Sequence, residues 1–304
     1  MLPPIAPRCL APDFYVLGTP QVPVYLVGQG LSWTLIEGGL AWMADLVRWQ
    51  LLQVVPELAC VRHWFITHSH YDHCGLLTTL YAQLPRVQVY ASAATARVFQ
   101  QEKSRRVIER LNQAVTQCPG LAPAAAALCL SRVPITPLHE GAGVALGGHQ
   151  HLQVLATPGH SACHISLWDV AHHRLFASDA LGEFQESGEW CPLVFDDAPA
   201  YVASIRRIET LGATTLALAH HQVLQGRAAV QAPRRSLRSL YCLCRWLARR
   251  RAQGAGAPEL AAALTAQFGG LSAGFLPAGL HHSSMLRLLQ VLEQGAFLSE
   301  PQTV

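Results

Sequence analysis

Apolar residues in the first forty positions fall into short runs parted by glycine and proline. Phe14-Tyr15-Val16-Leu17, Val22-Pro23-Val24-Tyr25-Leu26-Val27 and Ser32-Trp33-Thr34-Leu35-Ile36 are rich in β-branched and aromatic types, which predicts a β meander over residues 14–39. Residues 41–55 then take a helical pattern and would cover the sheet. Arg62-His63-Trp64-Phe65-Ile66 reads as a buried strand. A short helix is expected over Leu76–Leu84, a strand at Val87–Ala91, and a long amphipathic helix or helical pair over 93–117. Glu102, Lys103, Arg105, Arg106, Glu109 and Arg110 supply its solvated face. Pro119–Pro137 is rich in Ala and Pro and reads as a connection.

Strand patterns resume at Val144–Leu146 and His151–Ala156, and short apolar runs at Arg174–Ala177 and Leu216–Ala219 also end in polar residues. Two strand-rich halves with helices outside suit a four-layer αββα sandwich of the α/β (α+β) class. From about residue 226 the pattern changes to three helices, near 232–251, 257–267 and 281–294. The expected organisation is therefore a catalytic domain over 1–225 and a C-terminal helical cap over 226–304 that contributes to a substrate pocket.

Composition narrows the classes. The 304 residues are 51% hydrophobic and 13% charged, ample for a sizeable core. The mean hydropathy of +0.22 is high, but no apolar run reaches the eighteen residues of a membrane span. The start, Met1-Leu2-Pro3-Pro4-Ile5-Ala6-Pro7, lacks the basic and apolar regions of a secretory signal. Nine scattered cysteines, an odd count, fit reduced thiols and a cytoplasmic protein. A net charge of +3 is too mild to imply nucleic acid.

The candidate chemistry lies directly after the Arg62–Ile66 strand. Thr67-His68-Ser69-His70-Tyr71-Asp72-His73-Cys74-Gly75 holds three imidazoles and a carboxylate within six residues. His68 and His70, two apart, can reach one ion, and Asp72 and His73 a second beside it. These donor types suit Zn, Fe or Mn. His63, His139, His149, His151, His164, His172 and His173 match no such pattern and are expected to be structural.

The His-x-His-x-Asp-His run with its following glycine resembles the signature of metallo-β-lactamase-fold hydrolases. That resemblance implies three further ligands at later strand ends, in the order His, Asp, His. His160 follows Thr157-Pro158-Gly159, Asp179 follows Ser178, and His220 follows Ala219, each after a strand-like run. It implies His68, His70 and His160 on one metal and Asp72, His73 and His220 on the other, with Asp179 between them. Two such cations, about 3.5–4 Å apart, ionise a shared water to the attacking hydroxide and stabilise the developing oxyanion. Two departures stand out. Glu37 replaces the usual Asp of Asp-x-Gly and is expected to orient backbone near the ligand loop. Ala219-His220-His221 replaces Gly-His-Gly, leaving the choice between the two histidines open.

A wider resemblance bears on the substrate. Gln21–Tyr25, His68–Leu77, Ser178–Phe184 with Pro192–Asp197, and in the cap Phe275-Leu276-Pro277 and Leu280–Met285 are similar to the PqsE family of quinolone-signal response proteins. That resemblance implies a di-iron thioesterase converting 2-aminobenzoylacetyl-CoA to 2-aminobenzoylacetate in alkylquinolone biosynthesis and quorum sensing. It also implies contact with a LuxR-type transcription regulator. Asp72 and Asp179 would serve catalysis; Glu183, four residues past Asp179, could project over the metals or order substrate. His282 and Ser284 could contact substrate or cap a helix. Arg234, Arg238, Arg245 and Arg249 share one narrow helical face, either a solvated surface or a docking face for a homodimer or partner. The competing functions are hydrolysis of another thioester, a lactone or a phosphodiester, and signalling through protein contact alone.

Overall fold

The computed structural model describes residues 5–116, 128–147, 150–185, 188–221, 223–272, 276 and 278–294. His149, Phe275 and Pro277, and residues 119–127 of the expected connection, lie outside them. The strands form two mixed sheets, one of seven strands and one of six, and a two-stranded ribbon, with helices. The chain divides into two compact units, one of residues 1–156 and 163–172 and the other of 157–162 and 173–304.

The first unit starts with the expected meander. β1 (Arg8–Ala11), β2 (Phe14–Gly18), β3 (Pro23–Gln29) and β4 (Ser32–Ile36) pair antiparallel in sequence order. β1 was not expected, because Arg8-Cys9-Leu10-Ala11 has no clear alternation; it forms an exposed edge. α1 (Ala44–Leu52) follows, ending short of residue 55. β5 (Val61–Ile66) and β6 (Gln88–Ser92) extend the sheet in parallel. The span Leu76–Leu84 is not one helix but two 3-10 turns, Gly75–Thr78 and Tyr81–Gln83. α2 (Ala93–Gln100) and α3 (Glu102–Thr116) confirm the helical pair. Ser92 caps α2, its hydroxyl accepting from the Thr95 N–H.

One segment read as a connection is partly a strand. β7 (Ile135–Leu138) pairs parallel with β6 at the end of the seven-stranded sheet. Its Pro137 lacks an N–H, which is tolerated only at an edge, so the proline marked an edge strand rather than a loop. β8 (Gly143–Gly147), β9 (Gln150–Ala156) and the fully buried β10 (Ile165–Asp169) complete this unit as an antiparallel trio. Trp64, Phe65, Tyr25, Leu26, Leu35 and Ile36 fill its core.

In the second unit β11 (Arg174–Ser178) is buried throughout. β12 (Glu183–Phe184) and β13 (Trp190–Cys191) make the ribbon. α4 (Ala198–Thr210) is capped by Asp197, whose carboxylate accepts from the Ala200 N–H. β14 (Thr215–Leu218) runs parallel to β11, and β15 (Val223–Gln225) returns antiparallel. Three helices follow, as the sequence predicts: α5 (Arg227–Ala252), α6 (Ala257–Ser272) and α7 (Ala278–Glu293). α5 begins a turn and a half before residue 232 and carries Pro233 inside it, within the first two turns.

Candidate metal centre

In the first unit the ligand loop leaves β5 and is held by backbone on both sides. Gly75 N–H donates to the Gly39 carbonyl at 2.9 Å and Leu76 N–H to that of Gly38 at 2.7 Å. Asn112 of α3 donates to the Tyr71 carbonyl and accepts from the Ala41 N–H. A Cβ on Gly38 would sit 2.4 Å from the His73 carbonyl oxygen, so the Gly38 strand end can approach the loop only as glycine.

The imidazoles gather closely. His68 stands 4.5 Å from His70 and 4.2 Å from His73, ring centre to ring centre. Asp72 Oδ2 lies 3.8 Å from His73 Nε2. His68 and His73 are buried, while His70 and Asp72 are partly open. Glu37 lies beneath them, fully buried, its backbone left-handed at φ 77°. Its role differs from the expected one of orienting backbone alone. Its Oε2 accepts from His73 Nδ1 at 2.7 Å, and its carboxylate accepts from the Thr67 hydroxyl at 3.0 and 3.2 Å. The single Thr67 proton is thereby committed, so at its 3.1 Å contact with His68 Nδ1 the hydroxyl oxygen accepts. Both rings therefore carry their proton on Nδ1 and keep a lone pair on Nε2.

The second unit repeats this logic. His160 Nδ1 donates to the Leu193 carbonyl at 2.8 Å, again leaving the lone pair on Nε2. That nitrogen is 3.3 Å from Asp179 Oδ2. His220 Nε2 is 3.7 Å from the other oxygen, Oδ1. The two Asp179 oxygens thus face two different imidazoles. Of the adjacent pair, His220 faces Asp179 and His221 faces Glu183, its Nε2 3.2 Å from Oε1.

A neutral His160, its proton held on Nδ1, turns a lone pair toward Asp179 Oδ2 at 3.3 Å, as two ligands do about one cation. The donor set of neutral imidazoles and carboxylates fits divalent Zn, Fe or Mn. Cys74 and Cys191 are fully buried, and burial pushes their pKa well up, helped by Asp72 for the first and Glu183 for the second.

Other expected residues fall elsewhere. His282 and Ser284 lie inside α7 and not at its start, so neither caps it. His282 Nδ1 meets the Thr265 hydroxyl at 3.0 Å, and the Ser284 hydroxyl donates to the Leu280 carbonyl one turn back. His164, expected to be structural, is buried with its ring 4.9 Å from that of His68. His281, buried on α7, was missed altogether. The sequence holds only an adjacent His pair there, with no sign of which one turns inward.

Comparisons with known proteins agree with this geometry. Residues 17–220 match the family model of the metallo-beta-lactamase superfamily. The chain is 31% identical over 203 residues to an acyl-coenzyme A thioesterase, MBLAC2, of Gallus gallus, covering 65% of this chain and 70% of that protein. It is 24% identical over 204 residues to a beta-lactamase-like protein 2 homolog of Caenorhabditis elegans, covering 66% of this chain but only 56% of that protein's length. A metallo-beta-lactamase family protein from Thermus thermophilus shares the fold at a TM-score of 0.63 and 22% identity, over 93% of this chain and 95% of the other. Fold, loop and matched span agree, and the chain belongs to the metallo-beta-lactamase superfamily.

Proposed function

We propose that this protein is a dinuclear-metal thioesterase that hydrolyses an acyl-CoA, with 2-aminobenzoylacetyl-CoA as substrate and iron as metal, in alkylquinolone signalling. The observation that carries the metal pair is Asp179, whose two oxygens face His160 and His220 separately. The candidate ligands are His68, His70, Asp72 and His73 in the first unit and His160, Asp179 and His220 in the second, and the resemblance to the fold's signature shares them between two ions. When bound there, such ions supply Lewis acidity toward a thioester carbonyl and lower the pKa of water toward neutrality.

The chain's own groups do the rest. Glu37, Thr67 and the Leu193 carbonyl keep three imidazoles in the tautomer a metal needs. The departing thiolate is stable, so no strong general acid is required. Glu183, buried beside His221, orders the acyl group. The resemblance to the PqsE family and the likeness to an acyl-CoA thioesterase support this substrate class. The exposed face of Arg234, Arg238, Arg245 and Arg249 on α5 is our candidate for partner or homodimer contact.

The test is metal analysis and turnover on protein purified anaerobically without chelator. Two ions per chain and hydrolysis of 2-aminobenzoylacetyl-CoA, above acyl-glutathiones, lactones and bis-nitrophenyl phosphate, is the expected result. A metal-free protein under those conditions, or preference for a lactone or phosphodiester, overturns the proposal.

A further inference from the structure

We propose that the outer face of α3 binds the phosphates of the CoA moiety, as a cationic seat for the nucleotide end of the substrate. This deepens the thioesterase reading and rests on it. Among the described residues, an open cavity of about 480 Å³ is lined by Glu102, Lys103, Arg106, Val107 and Arg110, all on α3 in the first unit. Lys103, Arg106 and Arg110 lie three and then four residues apart. The helical period therefore stacks them on one face, over about 10 Å of axis.

Three cations here meet one carboxylate. Glu102 pairs with Arg106 at 2.5 Å, but both side chains are largely in water, and such a pair is weak. Lys103 and Arg110 have no ion-pair partner among the described residues. Arg105 turns back to the Phe99 and Gln100 carbonyls and leaves this face. Val107, 39% exposed, adds apolar surface among the charges. Unpaired cations round a hollow with an apolar patch fit phosphates carried beside a flat base. Arginine grips a phosphate by its fork and lysine as a point charge. CoA brings that combination, an adenine with a 3′-phosphate and a diphosphate. A nucleic-acid strand would call for stacking aromatics, and the described lining holds none.

The reach also suits the substrate. Asn112, two residues past Arg110, donates to the Tyr71 carbonyl inside the ligand loop at 3.1 Å. It is buried on the inward face, so the loop and the cationic row lie on opposite sides of α3. A helix with its side chains is about 10–12 Å across. The pantetheine arm between the phosphates and the thioester matches four or five residues of extended chain, roughly 15 Å. It is long enough to carry the thioester past α3 toward His68–His73 while the phosphates stay outside.

Calorimetric titration of the metal-loaded protein with adenosine 3′,5′-bisphosphate, which has no thiol or thioester, tests the seat without requiring turnover. Binding should weaken as salt rises, and fall about tenfold when Lys103→Gln and Arg110→Gln are combined. In steady-state assays the double variant should raise KM for the acyl-CoA about tenfold, with the loss in KM rather than kcat. Its preference for the acyl-CoA over the matching acyl-pantetheine should shrink by the same factor. No binding of the bisphosphate by the unsubstituted protein, or binding that the double variant leaves intact, overturns the proposal. The first outcome does not depend on the variant folding. Acyl-CoA turnover whose KM ignores both substitutions keeps the thioesterase reading and overturns the seat. Bisphosphate binding through Lys103 and Arg110 in a protein that hydrolyses no acyl-CoA supports the seat and counts against the thioesterase reading alone.

Discussion

His73 Nδ1 and Glu37 Oε2 lie 2.7 Å apart, and both side chains are buried. A single carboxylate thus sets the proton position of His73 directly and that of His68 through the Thr67 hydroxyl. Removing it frees two of the first unit's candidate ligands at once. Glu37→Ala should weaken metal binding roughly 10–100-fold, the range seen when a ligand's outer partner is lost. Competition against a graded series of chelators measures this. Unchanged affinity would reduce Glu37 to a packing residue.

Asp179 stands between His160 and His220 with one oxygen toward each. Asp179→Ala should lower metal content from two ions per chain to one or fewer. It should also cut hydrolysis by at least about a hundredfold. Elemental analysis and steady-state turnover on the same sample give both values, and two retained ions would show that the carboxylate does not bridge.

Gly159 precedes His160 with φ 122°, and a Cβ there would lie 2.3 Å from both the nitrogen and Cα of Tyr201 at the start of α4. Neither atom can move without shifting the helix. Gly159→Ala should therefore cost roughly 2 kcal/mol or more of stability and displace His160. Urea unfolding of the metal-free proteins isolates the backbone effect, and superimposable curves would refute it.

His63 on β5 has its pKa pushed below the usual value, first by burial and then by Arg62. The folded protein therefore holds it neutral where the unfolded chain takes up a proton. Its contribution is complete above the unfolded value of about 6.5 and is lost as pH falls through the window beneath. His63→Gln should flatten the loss of stability between about pH 7 and pH 5. Parallel stability curves for the two proteins would show that another group governs that range.

Much of this was readable from residue types. The strands before His68, His160, Asp179 and His220 were legible as apolar runs that lead into polar residues, while singling out His160, Asp179 and His220 rested on the resemblance to the metallo-β-lactamase signature. The three C-terminal helices were legible from period and punctuation. Other features depended on neighbours distant in sequence. β7 was hidden by prolines that only an edge position tolerates. The split of Leu76–Leu84 into two 3-10 turns reflects a loop tied to Gly38 and Gly39 rather than its own propensity. Glu37 looked like a substitution of a turn residue, and its grip on His73 emerges only when residues 36 apart meet. The inward turn of His281 rather than His282 depends on α6 packing that no local pattern encodes.

His221 adopts φ 62°, a left-handed conformation that glycine enters freely and histidine enters at a cost of about 1–2 kcal/mol. Retaining the imidazole there means carrying that burden in every molecule. A laboratory selection for heat resistance alone should replace it with glycine early, and the winners would be sturdier proteins that had lost the ring facing Glu183. Screening such lineages for what they no longer recognise would turn a single backbone angle into a readout of what the ring is kept for.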